Sequence, residues 1–479
     1  MATITRGFRA DRNDIARNGG SPAAGPVYVN LTDKAFLRLH HGYGMPVVTQ
    51  TLTVLGRRPG DDQLNEMYAL LKSGPLARRV HRSMVPFARA RWVPAADALP
   101  LYVAPAPIDA ADALTWANEQ AQYRLDPDAG FGWRLSAVAT HSGGMVVCLT
   151  KSHAVADGHA GLMAEAGLVD PELATNAGLD AQVGAWEELS DGYHRGIAIA
   201  RQAFTEMRRA ARDPLHRAAV RTALFSRAPE PAPDPKGWHE QSAIVTFDAA
   251  QWKSAAERDG GTTNTLYLAL TADLLRRCPL IDNIPPVLTP AVRVLRERDQ
   301  PDSNSFTRVP IVVQRDWLDS HDLVSLRAVS KAAFAAVAAV GSGVLSQPRQ
   351  MPPDLLDVLP DGVVHRLLET VPITVGMCSN MGVLDSFIAP QLAGFEPSLH
   401  MKRAVVQGID VPRTARQPVA LATWLSESDG RIHWALESLK PEMAHTAAEL
   451  ADLAKKVARS WGLHPLHIYT GDTIPTGTA

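Results

Sequence analysis

Residues 132–161 read GWRLSAVATHSGGMVVCLTKSHAVADGHAG, and the fold is read outward from them. Two apolar runs, Trp133–Thr140 and Met145–Thr150, flank His141-Ser142-Gly143-Gly144, the composition of a hairpin turn. The second run ends at Lys151, and just beyond it stand His153, Asp157 and Gly158 in the order His-x-x-x-Asp-Gly. A neutral histidine at a strand end can take a proton from a hydroxyl or amine, because its pKa lies near cellular pH. The aspartate four residues later can fold back across the turn and fix the loop, and the glycine permits a close backbone approach.

Upstream, VVTQTLTVL at 47–55 alternates as a strand does, and Asp61–Lys72 carries Leu64, Met67, Leu70 and Leu71 at helical spacing. Downstream, APEPAPDPK at 228–236 holds four prolines in nine positions, which remove the amide donors that helices and sheets need. This linker, near the midpoint, divides the chain into a loose N-terminal tail (1–25), a first subdomain (26–227), the linker (228–237), a second subdomain (238–465) and a C-terminal tail (466–479). In the second half a strand at Ala243–Phe247, a helix from Ala249 and a helix at Thr265–Arg277 precede strands at Arg308–Gln314 and Val371–Cys378. A small-residue helix near Ser325–Val340 and a hairpin, Pro418–Leu425 with Arg431–Leu436 around Asp429-Gly430, complete the pattern. The class predicted is α+β, with mixed sheets flanked by helices.

At 479 residues the chain is long enough for two or three domains of about 150 residues. Its 48 Lys and Arg against 50 Asp and Glu give a net charge of −2, so no global field draws it onto nucleic acid. Cys148, Cys278 and Cys378 are spaced for neither a disulfide framework nor a zinc site, which points to a reducing cytoplasm. The longest low-charge stretch, Ala332–Leu345, falls short of the roughly 20 apolar residues that span a bilayer. There is no phosphate loop, nucleophile elbow, His-Glu-x-x-His or Cys-x-x-Cys, so ATP-driven, serine-hydrolase and zinc chemistry lose their usual supports.

The central motif resembles that of the CoA-dependent acyltransferase superfamily, which includes peptide-synthetase condensation domains. It is most similar to the wax ester synthase and acyl-CoA:diacylglycerol acyltransferase family, whose motif is His-His-x-x-x-Asp-Gly. His153 matches the second histidine, and Ser152 replaces the first. Leu31-Thr32-Asp33-Lys34-Ala35-Phe36 looks like the family's opening Asp-x-x-Phe, and Thr263-Asn264-Thr265 lies where Asn-Asp is usual. Arg293 followed by Asn304 resembles a further landmark, and Ser379-Asn380-Met381-Gly382 matches a late Ser-Asn-x-Gly.

The resemblance implies two chloramphenicol-acetyltransferase-like subdomains with a channel between them, His153 at its middle. His153 would deprotonate the acceptor for direct attack on a thioester, without an acyl-enzyme. Asp157 and Gly158 would support the loop, Asp157 pairing with Arg293. Ser152, Asn304, Ser379 and Asn380 are candidate oxyanion or substrate contacts. The donor would be acyl-CoA or an acyl chain on a carrier protein's phosphopantetheine, the acceptor an alcohol or amine. No tightly bound cofactor, metal or nucleic acid is implied. An amide-forming enzyme of the same fold and a degenerate binding protein, which Ser152 keeps in view, are the alternatives to ester formation.

Other features carry plainer readings. His40-His41, followed by Gly42, Tyr43 and Gly44, reads as a structural loop. Cys148 and Cys378 lie in apolar runs and read as small hydrophobes. Residues 195–227 hold eight arginines against Glu206 and Asp213. That stretch is either a solvated helical face or, through Arg208, Arg209 and Arg212, a docking surface for CoA phosphates, an acidic carrier protein or anionic lipid, leaving peripheral membrane contact open.

Overall fold

The computed structural model describes residues 25–41, 45–169, 178–225, 238–293, 303–340, 353–361, 375–409 and 417–471, with residues 364 and 414. In the first half lie β1 (Val47–Leu55), β2 (Arg78–His81), β3 (Arg91–Pro94), β4 (Tyr102–Val103), β5 (Trp133–Ala139) and β6 (Met145–Ser152). The second half adds β7 (Gln241–Asp248), β8 (Val287–Arg293), β9 (Phe306–Arg308), β10 (Ile311–Val312) and β11 (Val375–Val383). It ends with β12 (Pro397–Val406), β13 (Val419–Ser428), β14 (Arg431–Ser438) and β15 (His467–Gly471).

Two sheets organise these strands. The first runs β12-β1-β6-β5-β4; the second runs β10-β8-β11-β13-β14-β7-β15, with β9 on β8. The second is mixed, because β11 lies parallel to both β8 and β13 while β13, β14, β7 and β15 are antiparallel. Both predicted hairpins form. Between β5 and β6, a side chain at Gly144 would come within 2.2 Å of the Leu55 carbonyl, so only glycine fits the turn. Between β13 and β14, Asp429 and Gly430 both take positive φ, 49° and 67°, as a two-residue hairpin loop requires.

Helix α1 (Leu31–His41) precedes β1, and α2 (Asp61–Ser73) buries Leu64, Met67 and Leu71 against the first sheet's core. Then come α3 (Ala113–Ala121) and α4 (Gly158–Val169), followed by α5 (Ala185–Arg212). In the second half α6 (Thr263–Leu275) is buried at every residue from Thr265 on, so it is apolar all round. Thr262 caps it by accepting from the Thr265 amide.

The division at the linker is corrected in two places. Strand β12, from the second half, pairs with β1 from Val47↔Val406 to Leu55↔Pro397 and closes the first sheet. The supposed tail from 466 also contains β15, an edge strand on β7 that buries Tyr469. The 308–314 run is split, because Pro310 cannot donate and separates β9 from β10. His40 and His41 end α1 instead of forming a loop. The linker at 228–237, the N-terminal tail through residue 24 and residues 371–374 lie outside the described residues.

A third core seals the two halves, with Leu52, Val146, Cys148 and Met401 of the first sheet facing Ile244, Trp424 and Ala435 of the second. A fully buried polar network crosses this seam. Arg403 on β12 donates to Glu437 on β14 (2.8 Å) and to Gln50 on β1 (2.7 and 3.0 Å), and the Ser242 hydroxyl donates to Glu437. Burial pushes the Glu437 carboxyl up to about 7, against the pull of Arg403. Removing one partner strands the other away from water, so Arg403→Ala is expected to lose about 3–5 kcal/mol in denaturant unfolding. A loss under about 1 kcal/mol, the size of an exposed pair, would refute that role.

Candidate active site

The site grows from the end of β6. His153 continues the pairing with β1 through its amide to the Val47 carbonyl (2.9 Å), after which the chain turns on Val155 N–H to Ser152 O (3.0 Å). Asp157 ends the turn by capping α4: one carboxylate oxygen accepts from Ala160 N–H at 2.8 Å. The other accepts from Ser305 N–H at 2.9 Å, and the Asp157 amide donates to Ser303 O at 2.9 Å. The motif loop is thereby stitched to residues 303–305, which return the tie. Asn304 Nδ2 donates to the carbonyls of His153 (2.9 Å) and Ala154 (3.3 Å) and to Asp33 Oδ1 (2.8 Å).

This arrangement assigns the histidine's proton. With acceptors on three sides, the nitrogen end of the Asn304 amide is fixed, so its Oδ1 is the end that faces His153 Nδ1 at 3.0 Å. Nδ1 must carry the hydrogen, and Nε2 is left with a lone pair. Phe36 stacks on the imidazole at 3.9 Å between centroids, 14° from coplanar. Asp33, one helical turn earlier on α1, takes Asn304, the Ser303 hydroxyl and the Trp92 indole N–H. The opening Asp-x-x-Phe thus acts on His153 twice, directly through Phe36 and through Asn304 by way of Asp33.

Burial holds the His153 imidazole down at about 4, against the opposing influence of Asp157 and the Asn304 hydrogen bond. Burial raises the Asp33 carboxyl above its ordinary value, while its hydrogen bonds and Arg78 oppose this. Arg78, lowered to about 10 by burial, feels the charges of both Asp33 and Asp157, and its guanidinium lies over Trp92 at 4.8 Å. In place of the expected Asp157–Arg293 pair, Asp157 spends its oxygens on backbone amides, and the buried cation serving the loop is Arg78. Arg293 stands instead at the exposed end of β8.

A cavity of about 320 Å³ opens beside His153 and extends along the seam between the halves. His153, Asp157, Gly158, Arg293, Ser379 and Asn380 line it together, with Phe36, Phe306 and Met381 supplying apolar wall. A side chain on Gly158 would come within 2.6 Å of the Met381 tip, so glycine here lets β11 close on α4. Ser379, Asn380 and Met381 all line the cavity, where β11 shifts register between Asn380 and Gly382. Asn380 Nδ2 donates to Asn264 Oδ1 at 2.9 Å, which uses one of its two hydrogens.

Two candidates take other roles. Asn304 is fully buried and its amide is committed to His153 and Asp33, so it positions the His153 ring and is no oxyanion donor. Ser152 is fully buried outside the cavity lining; its hydroxyl pairs with His40 Nε2 at 2.8 Å and accepts from Ala154 N–H at 3.2 Å. An imidazole from α1 therefore stands beside the position where the motif usually has its first histidine. Arg208, Arg209 and Arg212 lie on the exposed side of α5, outside the cavity lining. Cys148 and Cys378 are buried, their thiols pushed up to about 11 and about 12. Sequence reasoning missed His159, Arg308 and Glu437, which also line the cavity; His159 directly follows the motif, but the other two carry no local signal. Among the described residues no His, Cys, Asp and Glu cluster could hold a metal ion.

The fold is that of the CoA-dependent acyltransferases. The first condensation domain of the calcium-dependent antibiotic synthetase, bound to a substrate analogue, superposes with a TM-score of 0.51 at 15% identity, over 92% of this chain and 96% of that one. Polyketide synthase associated protein 5 from Mycobacterium tuberculosis gives 0.50 at 14% identity, over 92% and 97%. A wax ester synthase/diacylglycerol acyltransferase from Marinobacter aquaeolei gives 0.47 at 12%, over 91% and 100%. No family model and no curated protein matches the sequence.

Five histidines held neutral by partial or full burial predict a loss of stability in acid. His40, His153, His159 and His400 are each lowered to about 4 and His433 to about 3, all by burial. Unfolded, they protonate near 6.5, so stability is full above that pH and is lost as pH falls toward about 4. Glu240 and Glu437, raised to about 8 and about 7 by burial, act in the opposite sense but are outnumbered. The melting temperature should fall from about pH 6.5 downward. A flat profile to pH 4.5 would contradict the buried neutral imidazoles.

Proposed function

We propose that this protein transfers an acyl group from a CoA or carrier-protein thioester to a hydroxyl acceptor, forming an ester, with His153 as general base. The observation that carries this reading is the fixed tautomer: Nδ1–H is tied to Asn304, and the unprotonated Nε2 belongs to a residue lining a largely apolar cavity between the halves. Nε2 removes the acceptor's proton as its oxygen attacks the thioester carbonyl. The tetrahedral intermediate then expels the thiolate, which takes the proton back from the imidazolium. Holding both substrates in one cavity makes the attack effectively unimolecular.

Direct transfer is favoured over an acyl-enzyme. The two buried thiols nearest in sequence to the motifs are held protonated, and the Ser152 hydroxyl lies outside the cavity. Ser379 and the second hydrogen of Asn380 are the side-chain groups assigned to the developing oxyanion. The chemistry needs no tightly bound cofactor, because the leaving thiolate and the imidazole between them account for every proton.

The test incubates purified protein with a panel of acyl-CoAs and alcohol or amine acceptors and detects products by mass. Ester products are expected, and His153→Ala should reduce transfer by about 10²- to 10⁴-fold in a folded protein. Undiminished turnover in that variant, or no product across the panel, would overturn the proposal. Because the base is lowered to about 4, kcat/KM should stay level from pH 8 to about 5.5 and fall only below that. An inflection near the ordinary histidine value of about 6.5 would show that the base is solvated in the working enzyme.

A further inference from the structure

The 28-residue helix α5 is fastened to the body by its charged side. Glu188 accepts from the Ser83 hydroxyl (2.7 Å), Asp191 pairs with Arg89 (2.7 Å), and Arg195 reaches Asp357 (2.6 Å). Gly192 lies against Val85 and Pro86 so closely that a side chain would meet the Pro86 carbonyl at 2.7 Å. At about 100° per residue, these four anchors share one side of the helix.

The apolar residues point elsewhere. Trp186, Leu189, Tyr193, Phe204 and Met207 fall within an arc of about 60°, centred about 140° from the anchors. They are 82%, 50%, 67%, 54% and 63% exposed. Ala200 and Ala211 fall on the same arc and are exposed too. Only Gly192 and Ile199 of the whole helix are buried. A surface helix ordinarily turns its apolar stripe to the core and its charges to water. Here that order is reversed. Arg201, Arg208 and Arg212 follow one edge of the stripe, about 40–80° round the helix from Trp186, while Glu188, Asp191 and Glu206 lie on the anchored side and Glu187 lies just beyond the arginine edge, about 130° from the centre of the stripe.

We propose that this face of α5 docks the protein on an anionic lipid surface. The stripe from Trp186 to Met207 is about 32 Å long. A bilayer interface accepts such a helix lengthwise, with apolar side chains about 5–10 Å deep and tryptophan and tyrosine at headgroup level. The arginine edge supplies attraction to acidic headgroups, and the carboxylates of Glu188, Asp191 and Glu206 are kept away from them. Among the described residues no helix is long and apolar enough to cross a membrane, so the contact is peripheral.

The test measures flotation of the full chain with vesicles of phosphatidylcholine alone or with about a third phosphatidylglycerol. Binding to the anionic vesicles should be at least about tenfold tighter and should weaken as salt shortens the Debye length below about 8 Å. The triple variant Trp186→Ser, Phe204→Ser, Met207→Ser should lose at least about tenfold in binding with an unchanged melting curve. The variant Arg201→Glu, Arg208→Glu, Arg212→Glu should lose the preference for anionic vesicles. Binding that survives both variants would overturn the proposal. So would a chain that ignores vesicles and instead self-associates, or captures an acyl carrier protein, through Trp186.

Discussion

The reciprocal clasp between residues 153–157 and 303–305 is the constraint on which the site depends. Each segment alone would leave buried polar groups without partners: the carbonyls of His153 and Ala154 on one side, the Ser305 amide and Ser303 carbonyl on the other. Such groups cost about 1–3 kcal/mol each when unsatisfied, so the two segments hold together or both come apart. The same clasp fixes the tautomer of His153. Loop rigidity and proton position are therefore consequences of one set of hydrogen bonds, and Asp33 secures both from a third part of the chain.

A second group of buried charges sits next to this site. Glu165 on α4 takes Lys402 at 2.7 Å and Lys151 at 3.1 Å; the two ammonium groups outweigh the effect of burial and hold its carboxyl down at about 2. With two cations on one carboxylate, Lys402 is lowered to about 7, chiefly by burial. Gly161 lets the Lys151 ammonium lie against α4, where a side chain would meet Lys151 Cε at 2.6 Å. This cluster ties α4, and so the Asp157 cap, to β6 and β12. It is a structural support built from charge in a place where an apolar contact would serve most proteins.

These charges explain what the sequence concealed. Strands β1, β5 and β6 and both hairpins were legible, because their apolar periodicity and their glycines are local signals. Strand β12 was not. Its register places His400, Lys402 and Arg403 in the interior, and their partners Thr53, Glu165 and Gln50 lie far away in sequence. His153 and Asp157 were legible as a motif, yet the partner of His153 is 151 residues downstream, and no pattern in either segment names the other. Arg293 was assigned to Asp157 by resemblance, whereas backbone amides satisfy that carboxylate, and backbone donors leave no trace in residue identity.

The strand exchange also bears on how the chain is made. As the protein emerges from the ribosome, β1 finds β6 within about a hundred residues, but its other edge waits for β12, some 350 positions after it. Through that interval a nine-residue strand of high β-propensity offers unpaired amides and carbonyls to any passing edge. A gene fragment ending at the proline-rich linker would lack β12 and so would leave that edge of β1 unpaired permanently.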